Sequence, residues 1–262
     1  MDHIAVVVVT YNRRALLLEC LSALLAQSRA PTRIHVIDNA STDGTRDALQ
    51  VGGWLQRTEI DYLCLPDNLG GAGGFAAGLE RALAQGADWV WMMDDDARPA
   101  ADALQALLAV VPDTRNVYGS TAVAGERLAW TMTLAASGGR VTAVAELPAQ
   151  AEVEFVPFLG IFVHRELVAR IGLPAAEFFL AADDLEYCLR ARRAGARLLM
   201  VAASRIEHPP SQSYRLTLPG KTLHCLTLPP WKRYYDTRNR IFVARRHFGL
   251  RLFTATLPSI AL

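Results

Sequence analysis

The sequence predicts an α/β fold with a mainly parallel central sheet flanked by helices. Three observations carry that prediction. Short β-branched or aromatic runs alternate with helical patterns up to about residue 110. Each run ends in a polar cluster, and 52% of the 262 residues are hydrophobic, enough for a core of ordinary globular size. Alternation at this spacing implies βαβ crossovers and a sheet covered on both faces.

Taken in order, residues 4–9 read as a strand and 15–26 as a helix; 34–37 and 45–50, 62–65 and 75–84, and 89–93 and 101–111 repeat that pairing. Residues 116–155 shift to β segments with turn signals at Gly125 and Ser137-Gly138-Gly139. Helical pattern returns at 165–171 and 183–194, followed by a strand at 197–201. Residues 209–230 hold five prolines and few periodic positions, so they read as a long loop. Residues 231–248 read as a basic, aromatic-rich amphipathic helix.

Composition excludes several classes. A formal net charge of +1 offers no general attraction to nucleic acid, so affinity for an anion must come from local clusters. The four cysteines, Cys20, Cys64, Cys188 and Cys225, form no CxxC pair, and the first three have apolar neighbours. Buried, reduced thiols are expected, which suits a cytosolic chain. The apolar run 4–9 is too short for a membrane span and lacks the basic flank of a signal peptide.

In an open sheet of this kind ligands bind beyond the carboxyl ends of the strands. The clusters there are Thr10-Tyr11-Asn12, Asp38 to Gly44, Asp67-Asn68 with its glycines, and Asp94-Asp95-Asp96, all expected on one rim. Three adjacent carboxylates repel one another, and a bound divalent cation removes that cost. In an extended segment Asp94 and Asp96 face one ligand while Asp95 points elsewhere; hard oxygen donors suit Mg²⁺ or Mn²⁺ holding a diphosphate. The structural alternative is a solvated strand end in which Asp96 caps a helix from Pro99.

Asp183-Asp184-Leu185-Glu186 admits two readings. Asp183 as N-cap with Glu186 three residues on makes a capping box, which leaves Asp184 idle. A carboxylate in that first turn at the mouth of a cleft can instead accept a proton from a hydroxyl. His208 precedes two prolines that stiffen the backbone, and it becomes a candidate ligand once a metal is suspected. The segment Gly71 to Ala76 fits GxGxxA, a dinucleotide-binding pattern, but four residues, Pro66 to Leu69, separate the strand from the glycines and the motif sits at the third strand, not the first.

Together, Val9-Thr10-Tyr11-Asn12-Arg13, Asp38-Asn39-Ala40-Ser41-Thr42-Asp43-Gly44, Asn68-Leu69-Gly70-Gly71 and Asp94-Asp95-Asp96 resemble family 2 glycosyltransferases with the GT-A fold. Phe158-Leu159-Gly160-Ile161-Phe162, Asp183 to Tyr187 and His208 look like the galactofuranosyltransferase branch, with rhamnosyltransferases as near relatives. The resemblance implies that Thr10, Asn12, Asp38 and Asn39 hold the nucleoside. It implies that Asp94, Asp96 and His208 hold Mn²⁺ or Mg²⁺, and that Asp184 is the base. The surrounding motif residues Tyr11, Arg13, Asn68, Gly71, Asp94 and Asp95 join the nucleotide-sugar surface. Residues 1–210 are then the catalytic domain, with 1–110 the nucleotide half and 111–210 the acceptor half; 211–262 form the loop and basic helix.

The expected reaction is transfer of a sugar, with galactofuranose from UDP-galactofuranose the leading donor, by single displacement with inversion onto a glycan or lipid-linked saccharide. Rival readings are a rhamnosyltransferase using dTDP-rhamnose, an NAD(P)- or flavin-dependent oxidoreductase, and a nucleotide-sugar-binding subunit without turnover. Characterised polymerising galactofuranosyltransferases are longer, so transfer of one or a few residues is expected. The basic helix can lie on the cytoplasmic face of the inner membrane and meet a lipid-linked acceptor, or dock with its arginines in solvent. Apolar residues 252–262 end abruptly, as in a chain cut short.

Overall fold

The computed structural model describes residues 2–110, 112–209, 213–218, 221–250 and 252–256. Its first half runs β1 (Ile4–Thr10), α1 (Arg14–Leu25), β2 (Arg33–Asp38), α2 (Thr45–Val51), β3 (Ile60–Cys64), α3 (Gly70–Ala84), β4 (Trp89–Asp94), β5 (Arg98–Pro99) and α4 (Ala103–Ala109). The second half adds β6 (Val117–Ala124), β7 (Arg127–Thr133), β8 (Arg140–Ala143), β9 (Gln150–Glu152), β10 (Ile161–His164) and α5 (Arg165–Ile171). It closes with α6 (Asp183–Arg193), β11 (Leu198–Glu207), β12 (Ser213–Leu218), β13 (Lys221–Leu226) and α7 (Pro230–His247).

The main sheet has the path β3-β2-β1-β4-β10-β6-β11-β5. Its first four strands are parallel, as expected; β10 then lies antiparallel to both β4 and β6, so the whole is mixed. Chain order reverses between β1 and β4, which makes their carboxyl ends the topological switch point.

Burial on both faces explains why these strands are continuous apolar runs. On β1, Ile4, Val6 and Val8 pack with Leu17, Leu21 and Leu24 of α1 and Leu104 and Leu107 of α4. Ala5, Val7 and Val9 turn the other way, towards Phe75 and Leu79 of α3. The sheet is therefore the middle of three layers, and its period-two alternation divides the core in two.

Four expectations need correction. Residues 213–218 and 221–226 form an antiparallel hairpin, not loop; the five prolines hid two runs able to pair in register. β11 continues six residues past Val201 because a bulge between Val201 and Arg205 absorbs a register shift. At that bulge buried Ser204 meets Ser120 Oγ at 2.8 Å. The Cys64 side chain is exposed while Cys20 and Cys188 are buried; β3 is an edge strand, so its apolar neighbours do not enclose it. Cys225 falls among side chains outside the described residues. Finally, α3 starts at Gly70, five residues before the expected Phe75.

The glycines explain the last difference. A Cβ on Gly74 would come within 3.2 Å of both Cγ atoms of Val9, and one on Gly78 would collide with Val7 and Ile37. They let α3 lie directly on β1 and β2, which is a packing role. Among the described residues no helix is long and apolar enough to cross a membrane.

Gly78→Val is expected to lower the unfolding free energy by about 1–3 kcal/mol through overpacking against Val7. Denaturant titration checks this, with a shifted midpoint and an unchanged m-value.

Candidate active site

The site grows from the β1–β4 pair, whose register sets Val9 beside Asp94. Thr10, one residue further on β1, donates its hydroxyl to Asp95 Oδ2 at 2.7 Å. Arg13 Nη1 reaches Asp95 at 3.3 Å and Asp96 at 2.8 Å. Asp95 thus faces Thr10 and the start of α1, as expected. Arg13, which the resemblance put on the donor surface, is the counter-charge of the acidic run.

The alternation argument for Asp94 and Asp96 does not survive, because β4 ends at Asp94 and a turn follows, closed by Ala97 N–H to Asp94 O at 3.3 Å. Asp96 lies with His208 instead, Nε2 to Oδ1 at 3.5 Å. No helix begins at Pro99, so Asp96 is not a cap. Asp94 turns to the α3 side of the sheet, near enough to Asp183 for the two charges to oppose each other.

Burial and repulsion shape the titration of this cluster. Desolvation, then the charges of Asp96, Asp95 and Asp183, raise Asp94 well above the usual carboxylate range. Burial pushes Asp95 up to about 6 against the opposing bonds from Thr10 and Arg13. Asp96 also feels desolvation, but hydrogen bonding and charge from His208, with Arg13, hold it below the usual value.

A divalent cation was expected on Asp94, Asp96 and His208. Among the described residues no three His, Cys, Asp or Glu side chains converge closely enough to hold an ion. Two of the three do come together through His208 Nε2 and Asp96 Oδ1, and the other ring nitrogen, His208 Nδ1, is buried without a hydrogen-bond partner among the described residues. A carboxylate oxygen with an imidazole suits Mn²⁺ or Mg²⁺, whose remaining positions waters and phosphate oxygens complete. Beside this pair a cleft of about 440 Å³ opens between α1 and β11, lined by Leu16, Glu19, Arg98 and Glu207.

The nucleoside residues implied by the resemblance lie along the same rim with most of their polar atoms engaged. Buried Asp38 accepts from Ser41 N–H at 2.8 Å and from Tyr62 Oη at 2.7 Å. Buried Asn39 accepts from Leu69 N–H at 3.2 Å and donates to Gly70 O at 3.1 Å. Asn12, with φ of 53°, accepts from Thr42 N–H at 2.7 Å, and exposed Tyr11 stands beside it. Asn68 accepts from Gly70 N–H at 2.9 Å, and Gly71 faces open space towards Leu180. These side chains hold the loops that follow β1, β2 and β3 to one another. Sequence reasoning missed Tyr62, although its place opposite Val36 on β3 carries it to Asp38.

Asp183 and Asp184 open α6, and the expected capping box does not form. The N-cap position is Ala182, without a side-chain cap, and Glu186 is drawn instead to Arg190 at 2.9 Å and His247 at 3.3 Å. Asp184 accepts from Leu185 N–H at 2.7 Å. Burial raises both carboxyls, Asp183 also through the charge of Asp184, while Arg240 of α7 works to lower Asp184. Phe179, Ala181 and Ala182 ahead of them have φ of 63°, 70° and 57°. Left-handed conformation at such residues costs on the order of 1–3 kcal/mol each, so the surroundings must impose it.

Comparison with known proteins gives the family and the fold. Residues 2–221 match the family model described as Glycosyltransferase like family 2. Galactofuranosyltransferase GlfT1 of Mycobacterium tuberculosis is 34% identical over 97% of this chain and 86% of its own. The GlfT1 of Mycolicibacterium smegmatis is 30% identical over 95% and 85%. Among solved structures, GalNAc-T7 with UDP, GalNAc and Mn²⁺ superposes with a TM-score of 0.72 at 13% identity, over the whole chain and 52% of that longer one. The mannosyltransferase PcManGT of Pyrobaculum calidifontis, with GDP-Man and Mn²⁺, gives 0.62 at 18% identity over 99% and 72%.

Asp183→Asn is expected to stabilise the ligand-free protein. A carboxyl whose folded pKa lies above its unfolded one costs stability once the unfolded chain would ionise it, so wild-type stability is full below about pH 4 and is lost as pH rises from there through the raised folded value. Urea unfolding at pH 8.5 should give a gain on the order of 1 kcal/mol, fading towards pH 4. An equal gain at both pH values would contradict the burial of this charge.

Proposed function

This chain belongs to glycosyltransferase-like family 2, and on that premise we propose that it moves galactofuranose from UDP-galactofuranose onto a saccharide acceptor, with inversion and with a divalent cation held at Asp96 and His208. The fold is the GT-A type, a mixed central sheet flanked by helices. The observation that carries the reading is the Asp96–His208 pair beside the carboxyl end of β4, in a chain of this family. The dinucleotide reading is overturned by the family and by the packing role of its glycines.

In this reading the donor's nucleoside lies along Thr10, Asn12, Asp38 and Asn39, and its diphosphate extends towards Asp94 and Asp96. Asp96 and His208 would hold the divalent cation, which would supply positive charge to the departing diphosphate. Asp184 accepts the proton of the acceptor hydroxyl as that oxygen attacks the anomeric carbon from the opposite face. Burial makes Asp184 a stronger base than a surface carboxylate, and Arg240 keeps it ionisable near neutral pH. Asp183 is too close to be ionised at no cost beside it, so protonation of Asp183 leaves the charge on Asp184.

Helix α7 gives the acceptor side its character. Its exposed Trp231 and Tyr234, with Lys232 and Arg245, support peripheral contact with an anionic membrane carrying a lipid-linked acceptor on the cytoplasmic side.

A mass-spectrometric screen of nucleotide sugars with Mn²⁺ over a panel of glycoside and lipid-linked acceptors should give turnover with UDP-galactofuranose and less with dTDP-rhamnose. EDTA should abolish it, and His208→Ala should raise the Mn²⁺ concentration needed for half activity. Asp184→Asn should lower kcat by at least ~100-fold with donor binding retained; full activity in that variant would remove Asp184 from its role. Flotation with anionic liposomes tests the membrane contact, which absence of binding at low salt would rule out.

A further inference from the structure

The base helix does not hold its own approach. Phe179, Ala181 and Ala182 lead into α6 with positive φ and none is glycine. No side chain within the segment caps α6, since the N-cap residue is Ala182. What grips the segment is α7, more than fifty residues on in the chain. Asn239 is fully buried, and its side-chain amide donates to the carbonyl oxygens of Phe178, Leu180 and Ala181 at 2.9, 2.8 and 2.8 Å. Its Oδ1 accepts from Arg238 Nε at 2.9 Å. Arg238 Nη2 donates to the carbonyls of Glu177 and Phe178 at 2.9 and 2.7 Å, and Tyr235 stacks on Phe179 at 4.7 Å.

The other side of the turn is seated on the donor half. Ala72 N–H of α3 donates to Phe179 O at 3.2 Å, and Gly70 lies so close that a Cβ there would overlap that carbonyl. Phe178, Ala72 and Val243 of α7 form a small apolar cluster. One five-residue turn therefore joins the glycine-rich start of α3, the two carboxylates of α6 and the amide of Asn239.

We infer that Asn239 is a positioning residue for the transfer reaction: by binding three carbonyls it holds the left-handed turn at 178–182 and so aims Asp184 at the acceptor hydroxyl. The inference rests on Asp184 being the base. It touches no substrate, and its contribution is orientation: a misplaced base loses rate even when every reacting group is present. Asparagine suits the task because its short side chain carries two N–H donors, one of them shared, that reach Leu180 O and Ala181 O as well as Phe178 O, which Arg238 and Leu180 N–H also serve.

The test compares Asn239→Ala, Ala182→Gly, the double variant and Asp184→Asn in the full chain. Glycine accepts positive φ without a Cβ penalty, so it should replace part of what Asn239 supplies. Asn239→Ala should speed amide hydrogen exchange across 179–186 by at least tenfold, with β1 amides unchanged. With UDP-galactofuranose and the best acceptor of the panel, its kcat should fall roughly 10- to 100-fold, its donor KM changing less than twofold. Asn239→Ala with Ala182→Gly should recover at least fivefold of that loss. Unchanged exchange, a lost kcat that glycine does not recover, or a kcat within twofold of wild type would overturn the inference. Should Asn239→Ala not fold, Asn239→Asp keeps the size, removes the donors and serves the same readouts. Inactive Asp184→Asn beside active Asn239→Ala defeats the positioning role alone. Active Asp184→Asn defeats the base assignment, and exchange then decides whether Asn239 holds the turn.

Discussion

Carboxylate crowding at the carboxyl ends of β1 and β4 is the constraint around which this molecule is arranged. Asp94, Asp95 and Asp96 are partly or wholly buried within one strand end and turn, and Asp183 approaches from another element. Such a cluster costs free energy unless cations and donors surround it. Thr10 and Arg13 serve Asp95, Arg13 and His208 serve Asp96, and Asp94 is left with opposing charges on its several sides. Among the described residues Arg13 is the cation that works to lower Asp94, so the cluster keeps an unbalanced carboxyl at its centre.

Two packing devices bring the far pieces to that strand end. Glycines at 74 and 78 lower α3 onto β1 and β2, which places the start of the helix beside Asn39 and Phe179. The bulge in β11 lets that strand continue to Glu207 and deliver His208 next to Asp96, where the backbone N–H of His208 donates to Val123 O at 3.0 Å. Neither device carries chemistry. Each turns a sheet that many folds share into one that assembles residues 10, 39, 96 and 208 at a single edge.

The C-terminal helix belongs to the same assembly. Asn239, Val243 and Ala244 are buried against the catalytic half, Arg246 pairs with Glu177 at 2.6 Å, and His247 with Glu186 at 3.3 Å. Its opposite side leaves Trp231 and Tyr234 exposed. One helix thus has a face docked on the turn before Asp184 and a face towards solvent: Arg238 and Arg246 bond to residues 177–178, where the docked reading had left the arginines in solvent, and Arg245 is exposed.

Strand and helix alternation, the polar rim and the acidic run were legible in the sequence because they are local: period two, period 3.6 and like-charge repulsion are visible within a few residues. The same locality explains the partial successes. The partners of Asp96 and the direction of Asp94 depend on where β4 stops, and that is decided by the turn beyond it. The capping box at Asp183 was a sound local reading that Arg190 and His247 overrode, because a buried Glu186 gains more from the Arg190 guanidinium and the His247 ring than from a backbone N–H. By itself the sequence determined the layered fold, its switch-point rim and the acidic residue types gathered there. Only the tertiary structure decided that Asp96 meets His208, that Asp183 opposes Asp94 and that Asn239 holds the approach to Asp184, since each joins residues more than fifty positions apart whose contact no short-range pattern encodes.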